Sequence, residues 1–380
     1  MRLEDIVNFA VENKASDIHI MSGYAPHVRS KGSIKKLKTE ALTKDDVTKI
    51  VASTVSPEMM EQFQRDLELD YSISLGQNRY RMHAWHTING PGISMRTIPT
   101  VVRTLAELNI PKAAEKFATL HKGIVLVTGP TGSGKSTTLA AIINHINCNY
   151  PKHIVTIEDP IEFQYQSQMS LISQREVGRS TKSFYNALRA ALREDPDVIM
   201  VGELRDVETI KLALSAAETG HLVLGTLHTN SAPKTIDRIV DVFPAADKPS
   251  VQAALSSSIQ GVISQRLMKR ADGSGMVGAY EVMLATPAIR NLIRENKIPQ
   301  IESVMQINSS KGMVLMKDYQ QHLFEQGIID ASELIEDDEG GGHGGHGAAA
   351  PKPASGGHSA QESHSNEKQA WKETSQKSDF

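Results

Sequence analysis

The stretch Gly129-Pro130-Thr131-Gly132-Ser133-Gly134-Lys135-Ser136 constrains this chain more than any other. It follows an apolar run, Ile124-Val125-Leu126-Val127, and opens into Thr137-Thr138-Leu139-Ala140-Ala141-Ile142-Ile143, where the pattern predicts a helix. Strand, glycine-rich loop and helix in that order match G-x-x-x-x-G-K-[ST] in the context the motif requires. Glycines let neighbouring N–H groups converge on phosphate oxygens, and the helix N-terminus adds partial positive charge. Gly129 through Thr137 are therefore the expected phosphate-binding residues. Lys135 is expected to reach the β- and γ-phosphates of ATP, and Ser136 to ligate Mg²⁺.

Phosphoryl transfer also needs acids to hold the metal and orient water. The apolar run 198–201 ends in Gly202-Glu203, and the run 154–157 ends in Glu158-Asp159-Pro160-Ile161-Glu162. Both predict carboxylates at strand tips, where ligands gather in open α/β sheets. Most P-loop proteins place an aspartate directly at the end of such a strand; here a glycine stands there and glutamate follows. Ser136 and Glu203 are the candidate magnesium ligands. Glu158 and Glu203 are both candidates for orienting the water, and the residues alone do not assign the roles. His221 and His228 bracket the run 222–227, where a histidine past a core strand can sense the γ-phosphate.

The rest of the chain divides into recognisable stretches. Residues 1–97 read as an α+β domain: Leu3 to Val11 has helical spacing, Ser16 to Ile20 alternates as a strand, Val28 to Leu37 suggests a hairpin, and Arg79 to Trp85 alternates again. Asn89-Gly90-Pro91-Gly92 marks a turn, and Ile98-Pro99-Thr100 opens a linker placed at 98–112. From there to residue 335 short apolar runs alternate with helices, the pattern of a parallel α/β sheet buried on both faces. Residues 336–380 carry eight acids, four bases, many glycines and four histidines, and are expected to be disordered, with no metal site assigned. Removing that tail from the overall charge of −3 leaves 1–335 at about +1. A near-neutral body with 5% aromatic residues does not suggest a nucleic-acid groove. No run approaches the roughly 18 apolar residues of a membrane span. One cysteine, Cys148, fits a reducing compartment, and the expected location is cytoplasmic.

Four ordered segments resemble the secretion ATPase superfamily. They are the phosphate loop, Ile157 to Glu162, Asp195 to Asp206, and Thr219 to Asn230, which stand for its Walker A, Asp-box, Walker B and His-box elements. Within it the chain is most similar to type IV pilus retraction ATPases, through Ala15 to His19, Gln174 to Gly178, Thr235 to Pro244 and Ala288 to Glu295. The last stretch contains Arg290 and Arg294. The resemblance implies a PAS-like N-terminal domain, a RecA-like ATPase domain and a homohexamer. ATP would bind between the two domains, with Arg81 and Arg96 completing the site. It further implies an inner-membrane pilus platform protein as partner, a second pilus ATPase as another, and a place at the inner-membrane base of the pilus. Lys31 stands where relatives often carry an acid. Assembly-branch relatives use a four-cysteine zinc module, which one cysteine cannot build. A RecA-like nucleic-acid translocase, a nucleotide-gated scaffold and an accessory retraction ATPase are the competing readings.

Overall fold

The computed structural model describes residues 3–13, 15–30, 33–76, 78–98 and 101–334. The expectations for Lys31, for Pro99 and Thr100 in the linker, and for the tail lie outside the described residues.

Six strands make the N-terminal sheet: β1 (Asp17–Met21), β2 (His27–Ser30), β3 (Ser33–Lys36), β4 (Glu68–Leu75), β5 (Asn78–Thr87) and β6 (Gly90–Ile98). Their order is β3-β2-β1-β6-β5-β4, and every pairing is antiparallel. Alternation decides which side is core. On β5, Tyr80, Met82 and Ala84 are buried, whereas Arg79, Arg81 and His83 point to the other face. Helices Leu3–Glu12, Lys44–Thr54 and Pro57–Asp66 cover the apolar face, where Ile6, Val47 and Phe63 pack with Ile18, Met82 and Met95. Local chemistry starts two of these helices. Thr43 and Asp46 form a capping box, and Ser56 caps a helix that opens on Pro57. Arg96 lies inside β6, and Ile98, expected to open the linker, is the last residue of that strand.

The second sheet contains β7 (Gly123–Thr128), β8 (His153–Glu158), β9 (Leu171–Glu176), β10 (Val198–Val201), β11 (Leu222–Leu227), β12 (Ile259–Lys269) and β13 (Met276–Leu284). Its order is β13-β12-β7-β11-β10-β8-β9, parallel throughout except for the edge strand β13. The four runs read as strands are β7, β8, β10 and β11. All residues of β7, β10 and β11 are buried, because helices cover both faces. Ile124 and Leu126 of β7 join one core and Val125 and Val127 the other, as a two-residue period requires.

Beside β7, the register of β12 shifts between Ile259 and Gly261, and there the strand passes the Phe117 ring. A Cβ on Gly261 would lie 2.2 Å from the ring and 2.6 Å from the Met283 carbonyl oxygen. Gly261→Ala should therefore lower stability by about 1–3 kcal/mol, the usual range for overpacking. Urea unfolding of the purified variant checks this, and an unchanged midpoint would overturn it.

Candidate active site

The glycine loop leaves the tip of β7 and enters the helix Lys135–Asn149. Gly129 (φ 148°) is pressed against β12: a Cβ there would meet the Gln265 carbonyl oxygen at 2.3 Å and Ser133 Oγ at 2.5 Å. No other residue fits. Gln265 is itself buried, and its Nε2 donates to the Ser133 carbonyl at 2.7 Å, so the neighbouring strand clamps the loop from outside the motif. Beneath it, Thr128 Oγ1 and Ser264 Oγ lie 2.7 Å apart, and Thr235 Oγ1 donates to Thr128 Oγ1 at 3.4 Å. Pro130, Thr131 and Gly132 are exposed at the tip, and Ser136 and Thr137 are half-buried in the first turn.

Lys135 Nζ donates to the carbonyls of Gly129 at 2.8 Å and Pro130 at 2.9 Å. Burial pulls its pKa down, while the charges of Glu203 and Glu162 pull it back up. These two acids therefore share the lysine's field. Glu203 stands just past β10, where Gly202 occupies the usual aspartate position. A Cβ on Gly202 would sit 3.2 Å from the Ile157 carbonyl oxygen, a tight approach for any side chain. Glu203 Oε2 accepts from Arg205 at 2.7 Å, and its Oε1 lies 3.3 Å from His228 Nε2. Burial pushes the Glu203 carboxyl up, but Arg205 and His228 together outweigh it and hold the pKa below the usual range. Asp159 adds its negative charge beside Arg205.

Glu158 stands differently. It is buried, with Oε1 accepting from Thr156 Oγ1 at 2.7 Å and Gln174 Nε2 at 3.3 Å, and Oε2 accepting from the Glu162 amide at 3.3 Å. Burial pushes its pKa up to about 7 against these bonds. Glu162, four residues on, is exposed. The histidines separate as well. They lie at opposite ends of β11, and seven steps at about 3.3 Å each put roughly 23 Å between them. His228 is at the loop end with Glu203, whereas His221 Nδ1 faces the Ala216 carbonyl at 3.1 Å on the far edge.

Arg81 and Arg96 are directly paired across β5 and β6. Arg79, two residues earlier, turns to the ATPase sheet instead. Its guanidinium donates to Ser72 Oγ at 2.9 Å and to Glu176 Oε2 at 3.4 Å, and the same Glu176 oxygen accepts the Ile161 amide at 3.1 Å. Arg290 donates to the carbonyls of Ala285, Ser256 and Ser257 and to Gln260 Oε1, closing the end of the helix Lys248–Ser258; Arg294 is exposed. Sequence reasoning missed Gln265 and Ser264, for which no local motif gives a signal; Thr235 opens a segment that carries the family resemblance, but its contact beneath the loop is not visible in the sequence.

Among the described residues no group of three or more His, Cys, Asp or Glu is arranged to hold a metal. A hydroxyl at Ser136 and an ionised Glu203 are nonetheless hard oxygen donors. Such a pair fits Mg²⁺, which takes one or two protein oxygens together with substrate phosphates. Among the described residues no helix is long and apolar enough to cross a membrane.

A phosphate loop at the tip of a central parallel strand, with acids at the tips of β10 and β8 further along the same sheet, is the arrangement of RecA-like P-loop ATPases, and this chain is one. It belongs to the family described as Type II/IV secretion system protein, which it matches over residues 1–275. It is 53% identical over 305 residues to the twitching motility protein of Neisseria gonorrhoeae, covering 80% of this chain and 82% of that one. It is 47% identical over 337 residues to the type IV pilus retraction ATPase PilT of Pseudomonas aeruginosa, covering 88% and 98%. A crystal structure of the pilus retraction motor PilT with bound ADP superposes with a TM-score of 0.85 at 44% identity, covering 89% of this chain and 98% of that one.

Because the folded state holds the Glu158 proton more tightly than an unfolded chain with a pKa of 4.5, stability should fall as pH rises from 4.5 to 7. The change is on the order of 3 kcal/mol. Glu158→Gln should remove that part of the slope. Equal pH–stability slopes in the two proteins would show that Glu158 does not hold its proton.

Proposed function

We propose that this chain is the ATP-driven motor of type IV pilus retraction, acting as a homohexamer on the cytoplasmic side of the inner membrane at the pilus base. The likeness to retraction ATPases running through both sheets, not the nucleotide domain alone, carries this reading. Its partners would be the pilus platform protein and a second pilus ATPase. Residues 1–97 act as one domain, 98–112 as linker and 113–335 as the ATPase domain. Arg81 and Arg96 reach the nucleotide between the domains.

The reaction is in-line attack of water on the γ-phosphate of ATP. Lys135 and the loop amides hold the phosphate chain, and Arg81 and Arg96 spread the charge that develops on it. Ser136 and Glu203 would hold Mg²⁺, which would supply positive charge to offset that of the phosphates. Glu158, buried and bonded through both oxygens, supports the loop 158–162. The exposed Glu162, sharing the lysine's field, takes the water-orienting role first open to Glu158 and Glu203. His228 faces Glu203 and reports the γ-phosphate to β11. Loss of that phosphate frees the N-terminal domain to turn against the ATPase domain, and successive turns around the ring drive the platform protein.

Lys135→Ala and Glu162→Gln should each lower ATP turnover by about 100-fold or more while the circular dichroism spectrum is unchanged. Normal turnover in the lysine variant would end this reading, and normal turnover in the glutamine variant would return the water-orienting role to another acid. Deleting the gene should leave many long, immobile pili; their absence would mean assembly instead.

A further inference from the structure

Across the face of the N-terminal sheet that its own helices leave bare, Arg29, Asp17, Arg96, Arg81 and Ser72 stand opposite one another in a single cross-strand row. At its Ser72 end the row is buried against Glu176 and Arg179, whereas Arg81 and Arg96 are exposed. The acid in it is far more buried than its arginine partner: the Asp17 side chain is 9% exposed, whereas the Arg96 side chain is 68% exposed. Such an inversion is unusual, because a buried carboxylate costs more than an exposed one and persists where something holds it.

The contact is also side-on. Arg96 donates through Nε to Asp17 Oδ1 at 2.7 Å, and its two terminal amino groups make no hydrogen bond to any described residue. An end-on pair would have used the fork itself. Asp17 Oδ2 is taken by Ser16 Oγ at 2.8 Å, so the carboxylate cannot turn away. Burial pushes the Asp17 carboxyl up, but the bonds from Arg96 and Ser16 outweigh it and keep the group ionised. The sheet itself fixes the spacing, since Arg96 is the Cα partner of both Asp17 and Arg81.

We infer that Asp17 is a positioning residue that anchors Arg96 by its Nε so that both terminal amino groups, beside Arg81, are presented to the phosphates of a nucleotide. This rests on the proposal that Arg96 completes the nucleotide site. An arginine held only by its stem samples many rotamers, and ordering it at the moment of reaction would cost the freedom that Asp17 has already removed. Asp17 touches no substrate. It acts through Arg96 alone.

A double-mutant cycle on the purified full-length protein separates this from a structural role. Asp17→Asn should lower kcat for ATP about tenfold with KM changed less than about twofold, since the loss falls on the transition state. In an Arg96→Ala background the same substitution should change nothing further. Ser16→Ala, at an exposed position, should show a smaller kcat loss of the same pattern, and it serves as the test if the Asp17 variant does not fold. Losses that multiply in the double variant, or full turnover in both Asp17→Asn and Ser16→Ala, would overturn the inference and leave the role of Arg96 standing. Full turnover in Arg96→Ala would overturn both.

Discussion

The ammonium of Lys135 is the point on which this site closes. Among the described residues it is held by two carbonyls of its own loop, Gly129 and Pro130, so the loop folds back on its lysine. Burial alone would favour a neutral amine, and the charges of Glu203 and Glu162 oppose that. A phosphate chain brings more negative charge than two carbonyl dipoles, and the lysine can exchange one set of partners for the other. The strands around it must then stay fixed while it moves. The clamp from Gln265 to the Ser133 carbonyl and the hydroxyl contacts of Thr128 with Ser264 and Thr235 supply that rigidity.

How much of this was legible in the sequence depended on distance along the chain. The phosphate loop is contiguous, and its eight residues announce both its shape and its chemistry. The four buried strands were legible because parallel strands covered on both faces are runs of Val, Ile and Leu. β12 was not, since Gln260, Gln265 and Arg266 interrupt it, and Gln265 acts on a loop 132 residues away. Carboxylates at the tips of β8 and β10 could be located but not ranked. Glu158 and Glu162 differ in burial, which no spacing reveals. Strand direction separates the two histidines: the end of β11 that lies beside the tip of β7, where the glycine loop begins, carries His228.

The two sheets meet at a place that also bears on the reaction. Glu176 at the end of β9 accepts the amide of Ile161 and the guanidinium of Arg79 through one oxygen. Ile161 adjoins Glu162, and Arg79 lies two residues from Arg81 on the same face of β5. Arg179 joins them by donating to Ser72 Oγ at 2.9 Å. The pair is largely buried, with side-chain exposures of 15% and 8%, so parting it would leave charge in a poor solvent. The N-terminal sheet therefore cannot shift against this edge without disturbing the segment that holds Glu162.

A second buried acid works on the opposite edge of the ATPase sheet. Glu281 of β13 accepts the Ala232 amide at 2.6 Å through one oxygen and the Met316 amide at 3.4 Å through the other. Both amides open helices, Ala232–Asp241 and Met316–Glu325, so one carboxylate satisfies two helix N-termini. The first helix begins just after Thr229 and Ser231, and Thr229 Oγ1 lies 2.7 Å from Thr235 Oγ1, which in turn reaches Thr128 beneath the phosphate loop. His228 sits one residue before this chain of hydroxyls. A displacement of His228 on loss of the γ-phosphate would thus press first on Thr229 and on the start of the helix Ala232–Asp241, which Glu281 ties to the helix Met316–Glu325. Glu176 gives the N-terminal sheet a comparable connection to the segment holding Glu162. One buried carboxylate at each edge of the ATPase sheet thus fixes the elements packed there to the strands around the phosphate loop.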